Sequence, residues 1–325
     1  MMKTILTRRG LWAALCLSLT LALLVAPAAN AQPRLRKQMD FDMDNKADFV
    51  VYRNSTNVWW VLRSMGGGVT GTAFGTSPID FQTPGDYDGD NKADICVWRE
   101  TEGVFYVINS STGTFSAHPW GQPGDEPVPR DYDGDNKTDF AVVRRSGAVG
   151  GAMTWYIFQS QTGTLRAENF GISEDFTAPG DYDGDGKFDL GVQRLVGSNG
   201  VFYLQQSTAG FAAISWGLAN DFVVPGDYDG DGKTDIAVVR DASSAFTWYI
   251  RQSLTGSLLS VTWGISTSDL TVQNDYDGDG KCDIAVWRES GGTGTFYVRK
   301  SSDLLLLSQP WGITGDFPVA AFDTH

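Results

Sequence analysis

Aspartate at alternate positions is the feature of this chain most able to do chemistry. The pattern Asp-x-Asp-x-Asp-x-Lys-x-Asp occurs six times. Its members are Asp40, Asp42, Asp44, Lys46 and Asp48; Asp86, Asp88, Asp90, Lys92 and Asp94; Asp131, Asp133, Asp135, Lys137 and Asp139. The later copies are Asp181, Asp183, Asp185, Lys187 and Asp189; Asp227, Asp229, Asp231, Lys233 and Asp235; and Asp275, Asp277, Asp279, Lys281 and Asp283. Carboxylates on alternate residues of a tight turn converge on one point, and the backbone carbonyl of the lysine at position 7 can join them. Such a cage of hard oxygens selects calcium: zinc prefers His and Cys, and magnesium holds its waters too tightly. An EF-hand begins the same way but needs a glutamate at position 12. Position 12 of the fifth copy is Val238 in a strand-like run, so Asp235 at position 9 is the expected bidentate ligand.

Position 6 must turn with φ > 0, and it is Asn45, Asn91, Asn136, Gly186, Gly232 or Gly280, the residue types that tolerate this best. Position 4 is Gly except for Met43, which makes the first loop the least regular. Without a cation, four carboxylates within ~5 Å would repel by about 1 kcal/mol per pair even in water. Up to six structural Ca2+ ions are therefore the reading preferred over solvated acidic turns.

The loops mark a repeat with steps of 46, 45, 50, 46 and 48 residues. An Arg follows each loop start by 13 residues: Arg53, Arg99, Arg144, Arg194, Arg240 and Arg288. An aromatic pair recurs, from Trp59-Trp60 to Phe296-Tyr297, with a Ser four residues after its second member. Phe-Gly or Trp-Gly closes each unit, from Phe74-Gly75 to Trp311-Gly312. The fifth unit predicts four strands, at 222–225 (A), 236–240 (B), 247–250 (C) and 260–263 (D), each short, β-branched or aromatic and bounded by turn residues. Four strands every 40 to 50 residues predict an all-β, six-bladed β-propeller of four-stranded antiparallel blades. A linear solenoid, or a seven-bladed or incomplete ring, is the competing architecture.

The first 31 residues read as a cleaved signal peptide: Lys3, Arg8 and Arg9, then an apolar run, then Ala29-Asn30-Ala31. The remaining 32–325 form one domain, expected to be secreted, extracellular or periplasmic, with the cell surface as a further station. Cleavage removes three cations and no acids, taking the net charge from −14 to −17. That acidity argues against nucleic acid and anionic membrane as partners, and no membrane insertion is expected after cleavage. Six calcium ions would bring the charge to −5. Cys96 and Cys282, at different places in their repeats, do not suggest a disulfide.

These residues resemble the FG-GAP repeats of integrin α-chain propellers and the related VCBS-type repeats of secreted bacterial proteins. The match runs from about Met39 to the end and is nearly literal at Phe170-Gly171, Thr177-Ala178-Pro179-Gly180 and Asp181-Tyr182-Asp183-Gly184-Asp185-Gly186. The resemblance implies that each loop joins strands A and B of a blade and holds calcium through the aspartates named above. No inserted adhesion domain is present, so integrin-type ligand binding does not carry over.

An Asp also lies 19 residues before five of the repeated arginines: Asp80, Asp125, Asp175, Asp221 and Asp269. In a hairpin centred on loop position 5 these pairs face each other at the end away from the calcium. Arg53 lacks such a partner upstream, whereas Asp316 lacks an arginine downstream. The expectation is that 317–322 enters the first blade as its strand A, that Asp316 clamps Arg53, and that residues 32–39 are displaced. Function is expected to be non-catalytic binding or adhesion to an extracellular glycan or protein. A glycan-active enzyme and a structural subunit of a surface assembly are the alternatives. His118 and His325 are the only histidines, and Glu100, Glu102, Glu126, Glu168, Glu174 and Glu289 are acid candidates only by default.

Overall fold

Each Asp loop reverses the chain between two short β-branched runs, so the local unit is a hairpin, and six such units build the molecule. The computed structural model describes residues 38–320; the segment 1–31 read as a signal peptide, residues 32–37, and 321–325 with Phe322 and His325 lie outside the described residues. Six four-stranded antiparallel sheets form the blades of a six-bladed β-propeller. In the fifth blade the strands are Phe222–Val223, Ile236–Ala242, Ala245–Arg251 and Leu258–Thr262. Strand A is shorter than predicted because Pro225 has no N–H for the ladder, although pairing persists on either side of it, through Val224 N to Ala237 O (3.0 Å) and the Gly226–Asp235 bridge. Strands B and C run further than predicted. Ser243 and Ser244 both adopt positive φ (57° and 73°), the two-residue turn that matches strand twist and lets the ladder continue to Ala242 and Ala245.

Packing between blades follows the aromatic pairs. Their first members, Trp59, Phe105, Trp155, Phe202, Trp248 and Phe296, are wholly buried. Indole N–H groups tie elements together: Trp59 Nε1 donates to Phe74 O (3.2 Å) and Trp248 Nε1 to Trp263 O (2.9 Å) within their blades. The Trp of the closing pair reaches across, with Trp120 Nε1 donating to Tyr156 O, Trp216 to Tyr249 O, Trp263 to Tyr297 O and Trp311 to Trp60 O, at 3.0–3.1 Å. Cys96 and Cys282 are free and buried, and burial pushes the Cys96 thiol up to about 12.

The second members of the pairs lie under the repeated arginines. Arg144 and Arg240 stand 4.5 and 4.4 Å from the ring centres of Tyr156 and Tyr249. Each arginine also makes the expected bidentate clamp, for example Arg240 Nε and Nη2 to Asp221 at 2.7 and 2.8 Å. The aspartate side chains are at most 1 % exposed, while the arginines keep 22–33 %. Burial makes these pairs more than surface ion pairs, and each carboxylate also accepts a backbone N–H after the closing Gly, such as Leu218 N to Asp221 at 2.7 Å.

The ring closes through the C-terminus. Asp316–Pro318 pairs antiparallel with Phe49–Arg53, which continues to Val58–Leu62 and Val69–Ala73. Arg53 Nε and Nη2 donate to Asp316 at 2.8 and 3.0 Å, and Val319 N donates to Val50 O at 3.0 Å. One part of the expectation needs correction. Met39 is not displaced: its carbonyl accepts from Asp48 N (2.8 Å), the same bridge that Gly226 makes with Asp235. The C-terminal segment supplies strand A through Val319, and the N-terminal segment supplies the loop from Met39 on.

Replacing Asp316 with Ala leaves Arg53 partly buried without its partner and Ile313 N without its acceptor. It should destabilise the fold by roughly 2–3 kcal/mol, the range for hydrogen bonds to charged groups. Urea unfolding measures this directly, and a loss below about 0.5 kcal/mol, the size of a neutral surface change, would mean that the terminal strand does not carry the closure.

Candidate metal centres in the six loops

The position-1 aspartate organises each loop by accepting from its own backbone. In the fifth loop Gly230 N donates to Asp227 Oδ1 at 2.6 Å and Gly232 N to Oδ2 at 3.0 Å. Equivalent bonds tie Gly184 and Gly186 to Asp181, and Gly89 and Asn91 to Asp86. Positions 4 and 6 need left-handed backbone for this. Asn45, Asn91 and Asn136 take φ of 66°, 69° and 78°, and Gly186, Gly232 and Gly280 take 87°, 87° and 90°. In the first loop Met43 also adopts φ 65° and keeps the bond to Asp40 Oδ1 (2.6 Å). The irregular copy therefore holds the common geometry, at the local strain a side chain brings to that region, of order 1–2 kcal/mol.

The position-9 aspartate locks the loop to the turn between strands C and D. Asp235 Oδ2 accepts from Tyr228 N (2.9 Å) and Oδ1 from Ser253 N (2.6 Å). The periodic serine, noted in the sequence without a role, now has one. Its N–H binds position 9, its hydroxyl donates to position 5 (Ser253 Oγ to Asp231, 2.9 Å), and the next N–H binds position 3 (Leu254 N to Asp229, 3.1 Å). Ser64, Ser110, Ser160, Ser207 and Ser301 repeat this. The spacing was visible in the sequence, but only the fold brings that turn over the loop.

Carboxylate oxygens converge within 4.8 Å of one another in Asp40, Asp42 and Asp48; Asp86, Asp88 and Asp94; Asp131, Asp133 and Asp139; Asp181, Asp183 and Asp189; and Asp227, Asp229 and Asp231. Positions 1, 3 and 9 meet in four of these groups and positions 1, 3 and 5 in the fifth, while position 5 accepts from the serine in every loop. These groups could hold metal ions. Asp42 Oδ1 and Asp183 Oδ1 are buried with no hydrogen-bond partner, as an oxygen reserved for a cation would be. The donor set is all oxygen, which suits a hard cation.

Burial dominates the ionisation of these acids. It pushes Asp48, Asp139, Asp189, Asp235 and Asp283 up to about 7, and Asp94, Asp181 and Asp227 up to about 6, against the partial relief of backbone N–H groups. The loops also join each other. The N–H of position 8 donates to the position-1 carbonyl of the preceding loop: Ala93 to Asp40, Thr138 to Asp86, Phe188 to Asp131, Thr234 to Asp181, Cys282 to Asp227 and Ala47 to Asp275, at 2.6–2.8 Å. Each lysine lies along its neighbour too: a Cβ on Gly134, Gly184, Gly230 or Gly278 would come within 3.1 Å of Lys187, Lys233, Lys281 or Lys46.

Other candidate groups are scattered. His118 stacks on Phe140 (4.1 Å between centres), and burial lowers its pKa. Glu102 meets Arg99 and Tyr106, Glu126 meets Arg145 and Thr177, Glu168 meets Arg166, Glu174 accepts from Gly150 N, and Glu289 accepts from Thr314. Of the six default glutamates, Glu126 alone lines a described cavity, the 250 Å³ space whose walls include Pro84, Pro129 and Pro179.

The fold and the loops together define a six-bladed β-propeller whose A–B turns are built as acidic cages. No family model and no curated protein sequence matches the chain. Solved structures do. TolB from Acinetobacter baumannii aligns over 83 % of this chain and 65 % of its own, at 16 % identity and a TM-score of 0.56. This chain thus spans less than two thirds of that protein. A triple arginine-to-alanine mutant of AofleA from Arthrobotrys oligospora aligns over 83 % of this chain and 88 % of its own, at 9 % identity and a TM-score of 0.53. At such identities the likeness is one of fold.

The pH dependence tests the cages. Carboxyls whose pKa is raised in the folded state favour folding while protonated, so the metal-free protein should lose stability as pH rises from about 4, where the unfolded carboxyls ionise, to about 7, where the folded ones do. A bound cation requires the ionised acids and reverses that slope. Melting curves in excess chelator from pH 5 to 8 should fall with pH, and saturating divalent cation should abolish the fall; a chelated protein that gains stability over this range would refute the buried-acid reading.

Proposed function

We propose that the chain is a secreted, calcium-stabilised propeller of the FG-GAP/VCBS kind that acts as a non-catalytic binding or adhesion module for an extracellular glycan or protein. The observation that carries the calcium part is the recurrence of one cage, with serine lock and inter-loop bond, around the ring. Ca2+ supplies the charge that lets these buried acids ionise together. The aspartates at positions 1, 3 and 9 would hold it, with position 5 and the lysine carbonyl as the further donors the resemblance implies. Serine and backbone N–H groups orient the acids, and the adjoining loop fixes the position-1 carbonyl.

The binding part rests on what the candidate acids do. The repeated carboxylates belong to cages or clamps, and Glu102, Glu126, Glu168, Glu174 and Glu289 each meet a separate partner. No pair of them shares a described cavity, as glycoside hydrolysis would ask. Propeller architecture leaves loops and blade junctions free to vary, which supports recognition over chemistry.

A site of about 0.1 mM affinity contributes about 1.4 kcal/mol at 1 mM Ca2+, and six give on the order of 8 kcal/mol. Calcium should therefore raise the melting temperature by many degrees and magnesium should not replace it; an unchanged melt in EDTA would refute the calcium reading. Binding to a glycan array and an extracellular-matrix panel, with and without calcium, tests the second part, and silence on both would overturn it.

A further inference from the structure

The junction between the last and first blades departs from the repeat at three positions at once. In five blades the second aromatic is Tyr, facing Ala or Ser on strand D: Tyr106 and Ala117, Tyr156 and Ala167, Tyr203 and Ala213, Tyr249 and Ser260, Tyr297 and Ser308. In the first blade it is Trp60 facing Gly71, and a Cβ there would come within 2.7 Å of the indole. Val69, two residues earlier on that strand, is the smallest residue at a position where the other blades carry Phe115, Leu165, Phe211, Leu258 and Leu306. Phe115 stacks on Tyr106 (5.8 Å) and meets Phe74 of the preceding blade edge-on (6.2 Å); Phe211 stacks on Tyr203. With valine there instead, a cavity of 330 Å³ lies open between the blades, walled by Trp60, Val69, Arg53, Pro310, Trp311 and Ile313. Val69 and Ile313 are about half exposed.

Its side-chain polar groups are two donors, Arg53 and Trp60, and the hydroxyl of Thr293, which can also accept. Arg53 gives Nε and Nη2 to Asp316, which leaves Nη1 without a hydrogen-bond partner among the described residues, as in the clamps of Arg144, Arg194, Arg240 and Arg288; of the described cavities, only this one opens beside a clamp arginine. Trp60 Nε1–H is buried with no partner. Asp316 cancels the charge of Arg53, so the cleft has no surplus cation for an anion. Small-molecule sites occupy roughly 300–1,000 Å³, mostly apolar with a few placed polar groups.

We propose that this junction binds a neutral hexopyranose unit of an extracellular glycan, its C–H face against the indoles and a ring hydroxyl accepting from Arg53 Nη1. The proposal rests on the binding-module reading and assigns it a site. The test restores the repeat. Val69→Phe would fill the cleft as Phe115 does, and Trp60→Tyr with Gly71→Ala would rebuild the common pair; neither removes a cage or clamp residue, and Tyr lies under the clamp arginine in the other five blades. Calcium-loaded wild type is screened on an array of neutral hexopyranosides, and methyl glycosides of the hits are titrated calorimetrically into both variants. The expected result is at least a tenfold loss of affinity in each, with melting temperature and calcium titration unchanged. Sugar binding within twofold of wild type in both variants would overturn the junction site and leave the binding module standing. An array without hits overturns this site, while matrix-protein binding decides the module separately. Should Val69→Phe melt early, the Trp60→Tyr/Gly71→Ala protein carries the decision.

Discussion

A buried carboxylate can stay ionised only if something answers its charge, and this molecule places such carboxylates in every blade at both ends of the A–B hairpin. At one end the answer is an arginine held bidentately. At the other it is a set of backbone N–H groups and, on the functional reading above, a cation. The clamp acids sit beside a permanent cation, whereas the loop acids are driven toward the neutral form by burial. Hairpin geometry is thereby pinned at two points about as far apart as a blade allows, and the aromatic layers need only fill the space between.

The loops do more than terminate hairpins, because each offers its position-1 carbonyl to the next. The residue whose side chain gathers one loop is the residue whose backbone receives its neighbour. Disturbing one aspartate therefore disturbs two blades. Met43 illustrates the stiffness of this arrangement: the first loop keeps the common geometry although its side chain is poorly suited to the backbone it must adopt.

Much of this was legible in the sequence because the repeat reports on residues within one blade. The aspartate spacing predicted that positions 1, 3, 5 and 9 converge, of which 1, 3 and 9 meet in four groups and 1, 3 and 5 in a fifth, and the 19-residue spacing predicted the clamps, including Arg53 with Asp316 across the chain. What escaped was contact between units. A backbone N–H from position 8 leaves no mark on residue type, as Ala93, Thr138, Phe188 and Cys282 show. The serine left a mark without a meaning, since its partner lies in a different hairpin. The handover at Met39 escaped too, because the displaced segment was assumed to end at the loop itself. The Trp60, Gly71 and Val69 exceptions are visible in the alignment of repeats, but a missing side chain becomes a cleft only when the neighbouring blade is in place.

The first blade is assembled from segments far apart in the sequence, and this fixes an order of events during biosynthesis. Its three strands from Phe49 to Ala73 emerge early but lack a fourth until Asp316–Pro318 has been made. Five blades can each gather their own strands as the ribosome advances, whereas the first must wait until all of them have been synthesised. A polypeptide that stopped short of Asp316 would be left with an unsealed wheel, so synthesis of that one short strand is read out directly as closure of the ring.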